Sequence, residues 1–230
     1  MTAPVESDIS VDPERVVIRP LAATDGEAYR QLRQHILDSG DGKFFSSSYT
    51  REQQFTSQDH WREWCTETPV RCTIGVFVDG DLVGISGILP CGDPKYLTTE
   101  WQATWLAPKY RKSGVARQAY ETRHSWSYDH GYRYAVGDVH AENLRALEIW
   151  KKQGNAVYLF TQRNVTWADG SKADTHFFIG SLSPGAEEPR STEQAIDLLE
   201  AAVAFLKHEQ RGSSELTTSA KECRSPTRTG

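Results

Sequence analysis

The chain has 230 residues, 38% of them hydrophobic, with 31 acidic against 26 basic side chains and a formal net charge of −5. That is enough apolar material for one ordinary core, and the acidic balance argues against a nucleic-acid surface, which needs clustered Lys and Arg to displace counterions. No basic-then-apolar leader and no run of about eighteen apolar residues occurs, so no membrane partner is expected and a cytoplasmic location is the default.

In chain order, residues 1–14 lack periodicity and read as a flexible lead. Val16 to Arg19 predicts a short strand. Thr24 or Asp25 then caps a helix that aligns Ala28, Leu32, His35 and Ile36 along one side and ends near Gly40 and Gly42. Residues 44–49 are aromatic and hydroxylated. Ser57 or Asp59 caps a second helix whose apolar side is Trp61, Trp64 and Cys65. Residues 72–78 and 82–89 are β-rich and joined by Asp79-Gly80-Asp81, a hairpin signature. Residues 98–106 predict a strand stopped by Pro108, and 114–129 a helix closed by Gly131. A strand at 134–139 and a helix at 143–153, closed by Gly154, follow. Residues 157–167 and 175–182 form a last hairpin around Ala168-Asp169-Gly170.

An antiparallel meander followed by strand–helix–strand, helix and hairpin defines an α+β domain over residues 15–182, with one parallel crossover in its middle. Residues 183–211 read as a linker and an amphipathic helix with Ile196, Leu199, Val203 and Leu206 on one side, and 212–230 as a disordered tail. Cys65, Cys72, Cys91 and Cys223 form no CxxC pair, and no His/Cys cluster has zinc spacing, so free thiols and no metal are expected.

Two segments carry chemistry. In Arg111-Lys112-Ser113-Gly114-Val115-Ala116 a strand runs through a basic, glycine-containing turn into a helix. The first amides of a helix lack intrahelical acceptors and sit at the positive end of its dipole, where a pyrophosphate fits. One strand later, Asn143, Ala146 and Trp150 stand at offsets that share one helical face, with Gly154 four residues on.

Together the two segments resemble the GCN5-related N-acetyltransferase (GNAT) superfamily, whose pyrophosphate motif is Arg/Gln-x-x-Gly-x-Gly/Ala and whose next motif is Asn, Ala, an aromatic and Gly at these spacings. The resemblance implies a mixed, mostly antiparallel sheet with a central splayed parallel pair flanked by helices, and acetyl-CoA as co-substrate. It further implies that Leu106 pairs with the pantetheine amides and that Arg111, Lys112, Ser113, Gly114, Val115 and Ala116 hold the pyrophosphate. Asn143 would bond the pantetheine arm, with Ala146 and Trp150 beside it. A backbone amide at a bulge in strand 98–106 would polarise the thioester carbonyl for direct attack by an amine.

For the proton lost by the incoming amine, Glu100 is the first candidate base, working through water, with His140 and Tyr49 after it. Relatives often carry a Tyr where Trp150 stands, and an indole N–H is no general acid, so the thiolate leaves unprotonated or takes its proton from water. Asn155 also stands where relatives often have Phe. The acceptor pocket is expected from the Phe44–Trp64 region, the first hairpin and the last hairpin near Asp169 to Asp174, an acidic and aromatic setting that suits a small cationic or amphipathic amine. An amino acid, a polyamine-like metabolite or an amine-bearing antibiotic or toxin fits. The alternatives are a protein N-terminus or lysine, an aminoacyl-tRNA, or a non-catalytic acetyl-CoA sensor. A homodimer is compatible with the family, and nothing in the sequence specifies its interface.

Overall fold

The computed structural model describes residues 11–45, 52, 57–152, 156–167 and 169–182. Tyr49, Gly154, Asn155, Cys223 and the predicted helix at 191–211 lie outside the described residues. The elements run β1 (Val16–Pro20), α1 (Gly26–Asp38), α2 (Gln58–Cys65), β2 (Cys72–Val78), β3 (Asp81–Pro90), β4 (Thr98–Leu106), α3 (Val115–Asp129), β5 (Tyr134–His140), α4 (Leu144–Lys152), β6 (Ala156–Thr166) and β7 (Lys172–Ser181).

Local chemistry explains most of these boundaries. The β2–β3 loop is the two residues Asp79 and Gly80, both at positive φ (55° and 88°), the primed-turn geometry that matches strand twist. Ser57 caps α2 by accepting from the Asp59 amide at 3.2 Å. Asp25 precedes α1 without capping it through its side chain; its carboxylate instead takes the Ala22 amide and the Arg19 guanidinium. The last hairpin is longer than its sequence pattern, because β7 begins at Lys172, three residues before Thr175.

The seven strands form one sheet in the order β1-β2-β3-β4-β5-β7-β6, antiparallel except for the β4–β5 pair. Between Ile85 and Gly87 the β3 register advances two residues while β4 advances three, from Trp105 to Gln102, so β4 carries a bulge at Ala103 and Thr104. Ala103 sits at φ 51° there. The extra residue inverts the alternation of β4. Trp101 faces α3 and α4 with Ile88, Trp126, Leu147 and Trp150, whereas Trp105 faces α1 and α2 with Tyr29, Ile36 and Trp61. The core therefore lies in two layers on opposite faces of the sheet.

Cys65, Cys72 and Cys91 are buried and unbonded, and burial raises the Cys65 thiol to about 12, which leaves it inert near neutral pH. No described helix is long and apolar enough to cross a membrane.

Candidate active site

β4 and β5 pair over only three positions, from Thr98↔Tyr134 to Glu100↔Val136. Beyond Glu100 they part, and the gap opens into a cavity of about 800 Å³ lined from both faces of the sheet.

At one end of the gap the turn between β4 and α3 is built as an anion seat. Lys112 and Gly114 both adopt positive φ (66° and 86°), so successive backbone N–H groups turn inward. A Cβ on Gly114 would meet nothing within 4 Å, so the glycine answers to backbone conformation and not to crowding. The amides of Arg117 and Gln118 already bond to the Gly114 carbonyl, and those of Val115 and Ala116 precede the first intrahelical bond. Ser113 closes the turn by donating to the Tyr110 carbonyl at 2.7 Å. Arg145 lines the same end. Burial, and then the nearby Arg111, push its guanidinium below the ordinary value, a like-charge approach that a bound polyanion relieves. The seat fits a pyrophosphate.

Arg111 itself is engaged. Its Nε donates to the Leu106 carbonyl at 2.8 Å and its Nη2 to Asp41 at 2.5 Å, and Asp41 also accepts from the Trp105 indole at 2.8 Å. Asp41 opens a strap across the gap: on the β5 side Lys43 bonds to Glu142 at 2.9 Å and Phe44 packs on His140, ring centroids 5.3 Å apart. Two groups expected at the co-substrate, Leu106 and Arg111, thus hold each other here.

Asn143 is the cap of α4 rather than a member of its face. Its side-chain oxygen accepts from the Ala146 amide at 3.2 Å, which leaves the carboxamide N–H as the part that can serve the cleft. Trp150 stacks on Phe178 at 5.6 Å and 12°. It fits because β5 has a glycine opposite: a Cβ on Gly137 would lie 2.5 Å from the indole. Trp150 and Ala146 both line the cavity.

Glu100 stands at the last parallel pair and also lines the cavity. As the neighbour of Trp101 it faces the α1–α2 side of the sheet. His140 is 4% exposed, with Trp167 at 4.6 Å between ring centroids. Its Nδ1 accepts from the Glu142 amide at 3.1 Å, and burial lowers its pKa, so the neutral ring carries its proton on Nε2 and faces the cleft as a donor. Of the three candidate bases, Glu100 and His140 line the cavity and Tyr49 is outside the described residues.

Of the elements expected around the acceptor, the first hairpin lines a small adjoining pocket with Tyr29 and Trp64, and the last hairpin brings Trp167 to the cavity, while Asp169 and Asp174 accept from the Ser171 and Asn164 amides of their own hairpin. Among the described residues, the carboxylates that line the cavity are Asp41, Glu52, Glu100, Asp138 and Glu142. Sequence reading missed Asp41, the buried Arg33–Glu52 pair and Arg123. None of these belongs to a local motif, and each reaches the cavity only through tertiary packing.

Comparison with known proteins agrees with this geometry. The acetyltransferase (GNAT) family model matches residues 41–154. No curated protein matches the sequence. Among solved structures, a GNAT-family acetyltransferase from Streptococcus pneumoniae is similar at TM-score 0.62 and 15% identity, covering 73% of this chain and 99% of that one. A putative acetyltransferase, yncA, from Salmonella typhimurium with acetyl-CoA is similar at TM-score 0.60 and 15% identity, over 76% and 99%. A GCN5-related N-acetyltransferase from Kribbella flavida is similar at 0.59 and 17%, over 74% and 99%. With the family motifs placed on a splayed parallel pair and an open anion seat, the chain belongs to the acetyltransferase (GNAT) family and is an acyltransferase that uses acetyl-CoA.

Proposed function

We propose that the enzyme transfers the acetyl group to a primary amine of a small molecule. The observation that carries this reading is the aromatic lining of the cavity on the α1–α2 side, where Tyr29, Phe45, Trp61 and Trp64 line it together with the Arg33–Glu52 ion pair. Arg33 and Glu52 are 6% and 6% exposed, and Arg33 Nη1 has no hydrogen-bond partner among the described residues. A buried donor without an acceptor favours an amine that also carries an oxygen, such as a free amino acid or an amine-bearing antibiotic or toxin, over a bare polyamine.

In this reading the amides from Lys112 to Ala116 hold the pyrophosphate, Asn143 orients the pantetheine arm, and Leu106 pairs with it once Arg111 turns from Asp41 to the phosphates. Glu100 takes the ammonium proton through water, and a bulge amide at Ala103 or Thr104 receives the thioester oxygen. The test is incubation of purified protein with labelled acetyl-CoA and host-cell lysate, followed by separation by size. Label in the small-molecule fraction is expected, and mass analysis then identifies the product. Label in the macromolecular fraction overturns the reading in favour of a protein or tRNA acceptor.

A further inference from the structure

Arg123, on the third turn of α3, is 7% exposed and points at the sheet. Its Nη1 donates to the Ser86 hydroxyl and to the Thr104 hydroxyl, both at 2.7 Å, and these two hydroxyls are 2.9 Å apart. Ser86 is the β3 residue opposite the bulge and Thr104 is a bulge residue, so one guanidinium clamps both sides of the irregularity. The guanidinium lies 3.9 Å over the Trp101 ring and 5.5 Å from the Tyr120 ring. Among the described residues no carboxylate pairs with it, and its Nε is buried without a partner. The groups facing it are the two hydroxyls and Trp101 from the sheet, and Tyr120 and His124 from its own helix. Burial lowers the guanidinium to about 10, which still leaves a cation at neutral pH. Arg123 lines the cleft with Thr104 and Trp150.

A buried cation with no counter-ion is costly unless negative charge arrives beside it. In acetyl transfer such charge appears twice, on the thioester oxygen and then on the departing sulfur, and Trp150 has no acidic proton for the sulfur. We propose that Arg123 is a positioning residue of the transfer step. It fixes the bulge that presents its amide to the thioester oxygen, and through Thr104 it brings to the cleft the positive charge that stabilises the coenzyme A thiolate. The amine nitrogen bonds to the carbonyl carbon and the C=O pair moves to oxygen. That pair then returns as the C–S bond breaks with its electrons on sulfur. One ammonium proton leaves through water to Glu100 before the nitrogen attacks, the tetrahedral nitrogen gives its second proton to solvent as the intermediate collapses, and the thiolate departs as an anion.

The inference rests on the cleft binding coenzyme A, and its test needs no acceptor amine. Binding of coenzyme A and of desulfo-coenzyme A is measured by calorimetry from about pH 6 to about pH 9, spanning the reference of about 8.5 for a Cys thiol. Stabilised thiolate makes coenzyme A gain on the desulfo compound as pH rises, about tenfold in total for each unit by which the thiol pKa is lowered. Arg123→Met abolishes this gain and lowers the melting temperature as the bulge loses its clamp, while desulfo-coenzyme A still binds. Arg123→Lys retains the gain, and this variant decides the matter if the Met variant does not fold. A ratio independent of pH in the unaltered protein, or one equally pH-dependent in Arg123→Met, overturns the proposal. A protein that binds neither compound instead removes the coenzyme A site on which it rests.

Discussion

Gly114 is set by the backbone, which needs positive φ there, and a side chain would enter open space rather than a packed neighbour. Gly114→Glu imposes strain and sets a carboxylate against the phosphates, so acetyl-CoA affinity is expected to fall below calorimetric detection while the fold, read by circular dichroism, persists. Glu100 differs, because its role depends on the protonation of the amine. Glu100→Gln is expected to lower the rate near neutral pH by about 10²- to 10⁴-fold, the range of general-base assistance. The rate recovers as pH approaches the amine's own pKa, about 10.4 for a Lys-like amine. A uniform loss across the pH–rate profile would assign the base elsewhere. Trp150 shows how a departure from the family pattern is accommodated, since Gly137 leaves the indole its space.

The elements that matter most are the bulge in β4 and the strap from Asp41 to Phe44. The bulge sends Trp101 and Trp105 to opposite core layers and creates the irregular backbone at which an amide can face the cleft. The strap ties the β4 side of the gap to the β5 side through Asp41–Arg111 and Lys43–Glu142. Burial pushes the Asp41 carboxyl upward, but bonds from Arg111 and Trp105 outweigh it and hold the pKa below its ordinary value. The pair is therefore intact above the usual carboxylate range and is lost as pH falls through the lowered pKa. Because Arg111 has to leave Asp41 to reach phosphate, Asp41→Asn is expected to tighten acetyl-CoA binding. The scale is set by a partly exposed pair worth up to about 1 kcal/mol, which is roughly fivefold in the calorimetric dissociation constant. Weakened binding would show that Asp41 orients Arg111 for the ligand instead of competing for it.

Across the whole molecule, β1–β4 and β5–β7 meet through three parallel residue pairs, and the remainder of that junction is the cleft. Among the described residues the sheet is thus incomplete along the edge of β4 that faces β5, where backbone groups beyond Glu100 lack a strand partner. Acetyl-CoA is expected to slow amide exchange in residues 102–106 and 112–116 more than in the completed hairpin β2–β3. Hydrogen exchange followed by mass spectrometry measures this directly. Uniform protection would indicate global stabilisation rather than occupation of the gap.

The order of elements, a turn at Asp79-Gly80-Asp81, a helix start at Ser57 or Asp59 and the phosphate-type turn were legible from residues alone, and the structure narrowed the turn to two residues and the cap to Ser57. Each is a local agreement between side-chain chemistry and backbone angle, read within a few neighbours. The family motifs added the splayed pair, because residues 111–116 and 143–150 retain their spacing along the chain. What the sequence could not determine was which charged side chains meet in the cleft. Asp41 and Arg111 are 70 residues apart, Arg123 reaches Ser86 across 37, and Asp169 and Asp174 turn back onto their own hairpin. Those partnerships depend on strand order and on a one-residue bulge that reverses which face each later side chain occupies. Only the tertiary structure decides them, because the charge of a residue is local while its partner is set by packing between distant elements.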